Sequence, residues 1–221
     1  MQPNEATRAL LSRQIIDACL EMGRLGINQG TAGNISSRFQ DGMLITPTST
    51  PYGELTEDDI VFVDSRGVPE TGCLPSTEWR FHLAIYQHHH DRHAVVHNHA
   101  PYATSLAIMN RAIPAVHYMI AAAGGTDIPC APYATYGTEA LSLLVVTALA
   151  ERKACLLQHH GMVASEVSIA KALWLANEVE LLARWYCQLL ACGYQPETTP
   201  RLPAEEIAVV KAKFNSYGLR S

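Results

Sequence analysis

Apolar residues near the start of the chain recur at the spacing of an amphipathic helix. Leu11, Ile15, Cys19 and Met22 follow one another at intervals of three or four residues, so they share one face of a helix. Gly26 comes shortly after this stripe, and glycine is common just beyond a helix C-terminus. The pattern predicts a first helix that packs one side against a core and ends near Gly26.

The rest of the chain alternates between short apolar runs and longer helical patterns. Five apolar runs have the length of strands: residues 43–46, 60–63, 94–97, 154–158 and 162–164. Four helical patterns cover approximately residues 77–87, 102–110, 138–152 and 169–192. The order lacks a strict βαβ rhythm and the G-x-G-x-x-G turn of a dinucleotide-binding fold. We therefore predict an α/β fold of the α+β type, in which helices cover a central, mostly antiparallel sheet, as a single domain over residues 1–221.

Composition and charge narrow the classes of partner. Hydrophobic residues make up 48% of the chain and charged residues 17%, as expected of a protein with a substantial core. The formal net charge is −5 and no basic run offsets it, so neither a nucleic acid nor an anionic membrane is an expected partner. A few local donors would still suffice to bind a small anion.

The N-terminal segment and the cysteines indicate in which cellular compartment the protein is expected. Charges and amides interrupt the apolar positions of residues 1–26, so this segment predicts an amphipathic helix and not a signal peptide. The sequence contains no window of 18 uninterrupted apolar residues, so a membrane-spanning helix is not expected. The six cysteines are scattered without a Cys-x-x-Cys motif, which favours reduced thiols in the cytoplasm.

Two histidine motifs stand at the ends of apolar runs. His97 and His99 flank Asn98 after an apolar run, and residues i and i+2 of an extended segment point to the same face. His159 and His160 follow a second apolar run at a turn. Imidazoles from two strand ends meet the ligand requirement of a catalytic zinc site, although spacing does not choose between His159 and His160.

Residue patterns alone do not assign the other histidines or Glu78 to the metal site. We expect the run from His88 to His90 to be a solvated loop, and His82 and His93 to be structural or surface residues. Glu78 falls in the first turn of a predicted helix, where the helix dipole already favours an ionised carboxylate. Spacing alone does not put Glu78 near the histidines.

Longer motifs extend over nearly the whole chain. They are NQGTAGN (28–34), LITPT (44–48), LPSTEWRFH (74–82), AVVHNHA (94–100), IPAVHYMIAAAGG (113–125), IPCAPYATYGT (128–138), LLQHHG (156–161), EEIAVV (205–210) and YGLR (217–220). In these segments the chain closely resembles the class II aldolase/adducin family. The resemblance implies a three-layer domain of that family type and a homotetramer with active sites at subunit interfaces.

The resemblance also assigns roles to individual residues. It implies a Zn²⁺ ion held by His97, His99 and His160, with Glu78 as resting fourth ligand and proton carrier. The implied phosphate-binding residues are Thr31, Asn34, Thr48, Ser49, Ser76 and Thr77. Tyr118 would be a catalytic tyrosine reaching a neighbouring subunit, Tyr217 would close over the substrate, and Tyr136 would lie near the aldehyde. Ser49, Thr77 and Tyr136 depart from the residues expected of the family, which leaves the aldehyde specificity open.

The implied reaction is the reversible aldol cleavage of a ketose 1-phosphate, of the L-fuculose 1-phosphate type, to dihydroxyacetone phosphate and a short aldehyde such as L-lactaldehyde. Aldolases for 5-deoxyribulose 1-phosphate or 5-methylthioribulose 1-phosphate are alternatives within the family. So are a pentulose-phosphate 4-epimerase, a methylthioribulose-phosphate dehydratase and an adducin-like non-catalytic domain. Ala100 and Tyr118 favour the aldolase over the epimerase, and the intact histidines and Glu78 argue against the non-catalytic domain.

Overall fold

The computed structural model describes residues 3–216 and contains six α-helices and nine β-strands in that range. The helices are α1 (Pro3–Arg24), α2 (Trp79–His88), α3 (Pro101–Ile108), α4 (Glu139–Ala148), α5 (Ile169–Ala191) and α6 (Ala204–Ser216). The strands are β1 (Asn34–Phe39), β2 (Gly42–Ile45), β3 (Val61–Val63), β4 (Ala94–Asn98), β5 (Ile113–Pro114), β6 (Asp127–Ile128), β7 (Cys130–Ala131), β8 (Ala154–Leu157) and β9 (Gly161–Glu166).

Seven of these strands form one mixed sheet in the order β3-β2-β1-β4-β9-β8-β7. Every neighbouring pair in it is antiparallel except β7 and β8, which run parallel. The short strands β5 and β6 pair separately. The predicted fold class, a mostly antiparallel sheet covered by helices, is confirmed.

Alternate strand residues face two separate hydrophobic cores. On β4, Val96 belongs to the core shared with α1, α3, α5 and α6, whereas Val95 belongs to the core under α2 and α4. On β8, Leu156 and Leu157 divide in the same way. Successive side chains of a strand point to opposite faces, so a strand that is apolar at every position becomes the middle layer of three.

Several segments differ from the sequence prediction. Strand β1 and helix α6 were not predicted, because Ser36, Ser37 and Arg38 give β1 little apolar character and charged residues interrupt the apolar positions of α6. Helix α2 begins three residues after Ser76, so Glu78 is its N-cap residue and not part of its first turn. No helix among residues 3–216 is long and apolar enough to cross a membrane.

A carboxylate on α5 caps the helix that follows the His-Asn-His motif. Ala100 precedes α3 and has no side chain able to cap it, so the first amides of the helix need another acceptor. Glu180 supplies it: its two carboxylate oxygens accept hydrogen bonds from the backbone N–H groups of Tyr102 at 2.9 Å and Ala103 at 2.8 Å. This contact fixes the start of α3 immediately after His99.

Candidate metal centre

Neighbouring strands bring the two histidine motifs together. Strands β4 and β9 pair antiparallel with His97 opposite Val163 and Asn98 opposite Met162. The end of β4 therefore lies beside the start of β9, and the turn before β9 carries His160. His99 follows β4 directly, so three imidazoles from two segments meet at one end of the sheet.

The three rings are arranged around a common point. One ring nitrogen from each of His97, His99 and His160 lies within 4.8 Å of the others. The ring centroids are 4.8–5.1 Å apart and the ring planes cross at 71–77°. Nearly perpendicular rings cannot stack on one another, whereas their nitrogens can all face one ion. His160 belongs to this cluster, whereas His159 is exposed.

Glu78 completes the cluster with a buried carboxylate. Its Oε2 lies 3.0 Å from Nε2 of His97, its Oε1 lies 3.1 Å from Nε2 of His160, and the residue is 5% exposed. As the N-cap residue of α2 it makes no side-chain capping bond. The carboxylate is instead turned towards the imidazoles. The interaction of Glu78 with the helix dipole, considered from the sequence, therefore did not reveal its position in the site.

The charges of these groups depend on one another. Burial favours the neutral carboxyl of Glu78, but His97 and His160 outweigh it and hold its pKa well below the ordinary value. Burial acts to lower the pKa of His97, but Glu78 outweighs that effect and raises it. Burial and the neighbouring histidines lower the pKa of His99 to about 4. Near neutral pH the cluster therefore holds an ionised carboxylate and a neutral His99 imidazole, the protonation states that bind metal.

Unsatisfied buried atoms indicate that the cluster is built for an ion. Among the described residues, Nε2 of His99 is buried without a hydrogen-bond partner, and Oε1 of Glu78 and Nε2 of His97 are buried with no partner outside the cluster itself. Buried polar atoms are normally paired, so these three atoms in one place call for another partner. The backbone oxygen of Met162 lies 2.9 Å from Nδ1 of His97 and fixes the proton there, leaving Nε2 with its lone pair. Three imidazole nitrogens and a carboxylate oxygen fit a metal ion.

Residues predicted to bind phosphate fall on two paired loops beside Glu78. The backbone N–H of Thr48 donates to Leu74 at 3.1 Å, and that of Ser76 donates to Thr46 at 2.9 Å. These bonds bring together Thr48, Ser49, Ser76 and Thr77. Ser76 is buried and its hydroxyl accepts a bond from the Glu78 N–H, whereas Ser49 and Thr77 are exposed. Ser49 has a φ of 56°, a left-handed conformation that suits glycine better than serine.

The other two residues predicted to bind phosphate lie around the glycine-rich loop. Thr31 is exposed within it. Asn34 follows the loop as the first residue of β1, and its side chain is buried against the carboxylate. Its Nδ2 donates to Oε2 of Glu78 at 3.1 Å. The side-chain amide of Asn34 therefore supports Glu78.

The predicted tyrosines lie outside the cluster of histidines and Glu78. Tyr118 begins a 3-10 segment, is 47% exposed and packs against the His117 ring at 4.4 Å. Tyr136 is 65% exposed, and the carbonyl of the next residue, Gly137, accepts a bond from Arg80 of α2 at 3.0 Å. Tyr217 lies outside the described residues.

Comparison with known proteins identifies the family. The sequence model of the "Class II Aldolase and Adducin N-terminal domain" matches residues 13–187, which is more than half of the chain. The chain belongs to the class II aldolase/adducin family.

Relatives in this family are similar over almost their full length. The L-fuculose phosphate aldolase of Escherichia coli (strain K12) is 63% identical over 213 residues, covering 96% of this chain and 98% of the relative. A 5-methylthioribulose-1-phosphate/5-deoxyribulose-1-phosphate aldolase of Escherichia coli O45:K1 (strain S88) is 46% identical, covering 97% and 99%. A solved structure of an L-fuculose 1-phosphate aldolase superposes with a TM-score of 0.88 at 36% identity, covering 93% of this chain and 96% of that one.

Sequence reasoning missed three buried polar residues behind the metal centre of this aldolase-family chain. His82, expected to be structural or at the surface, is fully buried and stacks on Phe81 at 4.6 Å. It contacts Asn34 and Ser36, and Ser36 contacts Tyr86. His82 follows Glu78 by four residues, the spacing that puts two side chains on one helix face. That spacing was the available signal.

Proposed function

We propose that this protein is a zinc-dependent aldolase that reversibly cleaves L-fuculose 1-phosphate to dihydroxyacetone phosphate and L-lactaldehyde. The observation that carries the proposal is the contact of Glu78 with His97 and His160 inside a three-histidine cluster. This contact supports a role for Glu78 as a proton carrier beside a bound metal. Relatives 63% identical over nearly the full chain bear the name of this activity, which supports the choice of sugar phosphate.

Zinc is the proposed metal because its sites commonly combine imidazole nitrogens with a carboxylate. When bound, it would act as a Lewis acid at the ketone oxygen and the adjacent hydroxyl, stabilising the negative charge that develops during cleavage. His97, His99 and His160 would hold it, with Glu78 completing the set in the resting enzyme. The neutral state of His99 and the ionised state of Glu78 suit this role.

Glu78 is the proposed proton carrier at the dihydroxyacetone carbon. When the C3–C4 bond breaks, its electron pair remains on C3, and this carbon must gain a proton to become the hydroxymethyl group of dihydroxyacetone phosphate. A carboxylate beside the reacting carbon can deliver and remove that proton. Apart from Nε2 of His160 within the cluster, Oε1 of Glu78 has no hydrogen-bond partner among the described residues, and it is the oxygen available to carry the proton.

The phosphate of the substrate would bind between the glycine-rich loop and the paired loops. Hydroxyls of Thr31, Thr48, Ser49, Ser76 and Thr77, together with nearby backbone amides and Asn34, are the proposed donors. The N-terminus of α2 lies at the same place and favours an anion. Such a site explains how a protein with a net charge of −5 handles an anionic sugar without a basic patch.

Tyr118 is the proposed acid–base group at the aldehyde end. During cleavage it would take the proton of the C4 hydroxyl as the new carbonyl forms. Its ring is exposed and packs on His117, which is not a member of the metal cluster, and this is consistent with action in a neighbouring subunit of a homotetramer. Tyr217 is proposed to close over the substrate and Tyr136 to lie beside the aldehyde.

The proposed setting is the cytoplasm, and the proposed organisation is a single domain over residues 1–221. All six cysteines carry free thiols, which fits a reducing compartment. The relatives named above are bacterial enzymes of nearly the same length.

A second candidate substrate follows from the relative that acts on 5-methylthioribulose 1-phosphate and 5-deoxyribulose 1-phosphate. The same metal and proton carriers would serve it, with a different aldehyde released. The exposed Tyr136 is the residue proposed to distinguish between the two substrates, because it would lie beside the aldehyde part, in which the substrates differ.

The deciding experiment measures the release of dihydroxyacetone phosphate from a panel of ketose 1-phosphates. The panel contains fuculose, rhamnulose, ribulose and 5-deoxyribulose 1-phosphates, with a coupled reductase as the reporter. We expect the highest kcat/KM with L-fuculose 1-phosphate, loss of activity in EDTA and recovery on adding Zn²⁺. Absence of dihydroxyacetone phosphate from every sugar would overturn the aldolase proposal, and full activity in EDTA would overturn the zinc mechanism.

A further inference from the structure

Five polar side chains form a continuous line from the metal centre into the protein. Starting at Glu78, the contacts run from Oε2 to Nδ2 of Asn34 at 3.1 Å and from Oδ1 of Asn34 to Nε2 of His82 at 2.6 Å. They continue from Nδ1 of His82 to the Ser36 hydroxyl at 2.7 Å and from that hydroxyl to Tyr86 at 2.8 Å. We call this line the Glu78 relay.

The direction of every hydrogen bond in the Glu78 relay follows from its first member. An ionised Glu78 only accepts, so Nδ2 of Asn34 donates to it and Oδ1 is left as an acceptor. Nε2 of His82 must then carry a proton and donate to that oxygen. A neutral imidazole has one N–H, so Nδ1 accepts from the Ser36 hydroxyl, and Ser36 in turn accepts from the hydroxyl of Tyr86.

All five side chains are buried, so water cannot replace a missing partner. Tyr86 is 2% exposed, Ser36 and His82 are 0%, Asn34 is 4% and Glu78 is 5%. Hydrogen bonds that point the same way along a chain polarise and strengthen one another. Removing one buried partner costs the desolvation of the group left behind. The Glu78 relay therefore fixes its last bond, the one to Oε2 of Glu78, more firmly than an isolated amide would.

We infer that His82 and Asn34 are positioning residues that tie down Oε2 of Glu78 and leave Oε1 as the oxygen that carries the proton. The inference rests on the proposed role of Glu78 in the aldolase reaction. It gives the two oxygens of one carboxylate different tasks. Without the bond from Asn34 the carboxylate could rotate, and either oxygen would face the substrate in a poorly defined position.

The test uses variants that keep or remove the bonds of His82. His82→Gln retains one donor and one acceptor in the side chain, whereas His82→Leu removes both. Ser36→Ala removes the hydroxyl that donates to His82. The matched control is Ser165→Ala, which removes another fully buried hydroxyl from the same sheet, one that donates to the Lys153 carbonyl at 3.3 Å.

Kinetics separate positioning from stability. We expect His82→Leu to lower kcat by about 10–100-fold, the range typical of groups that orient a metal-site ligand, with KM changed little. Ser36→Ala should lower kcat less, His82→Gln should recover most of it, and Ser165→Ala should leave it unchanged. Thermal unfolding of each variant identifies any that fail to fold, in which case Ser36→Ala against Ser165→Ala decides.

A double-mutant cycle tests whether His82 acts through Glu78. In a Glu78→Gln background, the His82→Leu substitution should have almost no further effect on kcat, because the carboxylate that it positions is gone. A purely structural role would make the two effects multiply. Independent, multiplying effects would overturn the inference.

The direction of the Glu78 relay is also measurable without turnover. In metal-free protein labelled with ¹⁵N-histidine, the His82 signal, identified by its loss in His82→Gln, should be that of the neutral tautomer protonated at Nε2. Protonation at Nδ1 would reverse the relay and overturn the inference. Because this measurement needs no substrate, it stands even if none of the sugar phosphates is cleaved, an outcome that would count against the proposed function alone.

Discussion

A Cβ atom on Gly161 would lie 2.7 Å from Cδ2 of His99 and still closer to the carbonyl oxygen of Asn98. Both distances are too short, so Gly161→Ala must displace the His99 ring or the end of β4. We expect metal affinity to fall by about 10–100-fold, as for other changes that disturb the orientation of a ligand. Metal content after dialysis against a graded chelator series measures the effect.

Gly23→Ala is the control for this substitution. Gly23 lies in α1 and a Cβ there meets nothing within 4 Å, so the variant should bind metal normally and be as stable as the wild type or slightly more so. Unchanged metal affinity in Gly161→Ala would show that His99 is free to move or is not a ligand.

The two adjacent histidines of the β8–β9 turn should behave differently. His160→Ala removes a nitrogen from the cluster, and we expect the affinity for Zn²⁺ to drop more than about 100-fold. His159 is exposed with a φ of 55°, a conformation that asparagine tolerates, so His159→Asn should keep the metal. Competition with a chromophoric chelator compares the two. Equal losses, or zinc retained by His160→Ala, would contradict the ligand assignment.

Glu78→Gln tests the proton carrier with almost no change in shape. The amide cannot move a proton as the carboxylate does, so we expect kcat to fall by about 100–10,000-fold while the KM for the sugar phosphate changes far less. Steady-state cleavage assays at saturating Zn²⁺ measure both constants. Glu21→Gln, on α1, serves as a control that removes a carboxylate outside the site. A kcat within a few-fold of wild type would remove Glu78 from the chemistry.

Complementation between subunits tests the proposed position of Tyr118. Tyr118→Phe and Glu78→Gln should each be nearly inactive alone. If Tyr118 acts in a neighbouring subunit, mixed oligomers from co-expression contain some sites with both residues intact and recover a fraction of wild-type activity. Activity of purified mixed oligomers, with the assembly state from light scattering, is the measurement. Mixed oligomers as inactive as the parents would place both residues in one chain.

His82 should make the metal-free protein sensitive to acid. Burial, the main cause, lowers the pKa of His82 from 6.5 to about 3. Between these values the unfolded chain binds a proton that the folded chain does not, so stability is full above pH 6.5 and falls as the pH decreases towards 3. From pH 6.5 to about 5, we expect the wild type to lose about 2 kcal/mol more unfolding free energy than His82→Gln. Urea unfolding at each pH measures this, and parallel losses would contradict it.

Much of the fold was predictable because its central strands contain continuous apolar runs. The runs 94–96 in β4, 154–157 in β8 and 162–164 in β9 are recognisable in the sequence, since both faces of each strand are covered. Strand β1 escaped prediction for the opposite reason. Its Ser36 is fully buried, but it faces His82 and Tyr86 in place of an apolar partner. Polar residues that satisfy one another inside a protein look like a loop in the sequence.

The candidate site was predictable in part. The i, i+2 spacing of His97 and His99 predicts that both side chains point to the same side, because alternate residues of a strand share one face. Glu78 and His160 reach the same point through the packing of α2 and the pairing of β4 with β9, which no local spacing encodes. Their places came from the family resemblance, and the support behind Glu78 became visible only in three dimensions.

The capping of α3 by Glu180 has a consequence for the order in which the site forms during folding. Glu180 is separated along the sequence by 78 positions from Tyr102 and by 77 positions from Ala103. Its contacts hold the helix that starts just after His99. Contacts between such distant positions form late, since a long loop must close first. A chain still emerging from the ribosome would have His97 and His99 exposed well before His160 and Glu180 exist. We therefore expect the complete ligand geometry to form only after α5 has docked, so that tight metal binding requires the folded chain.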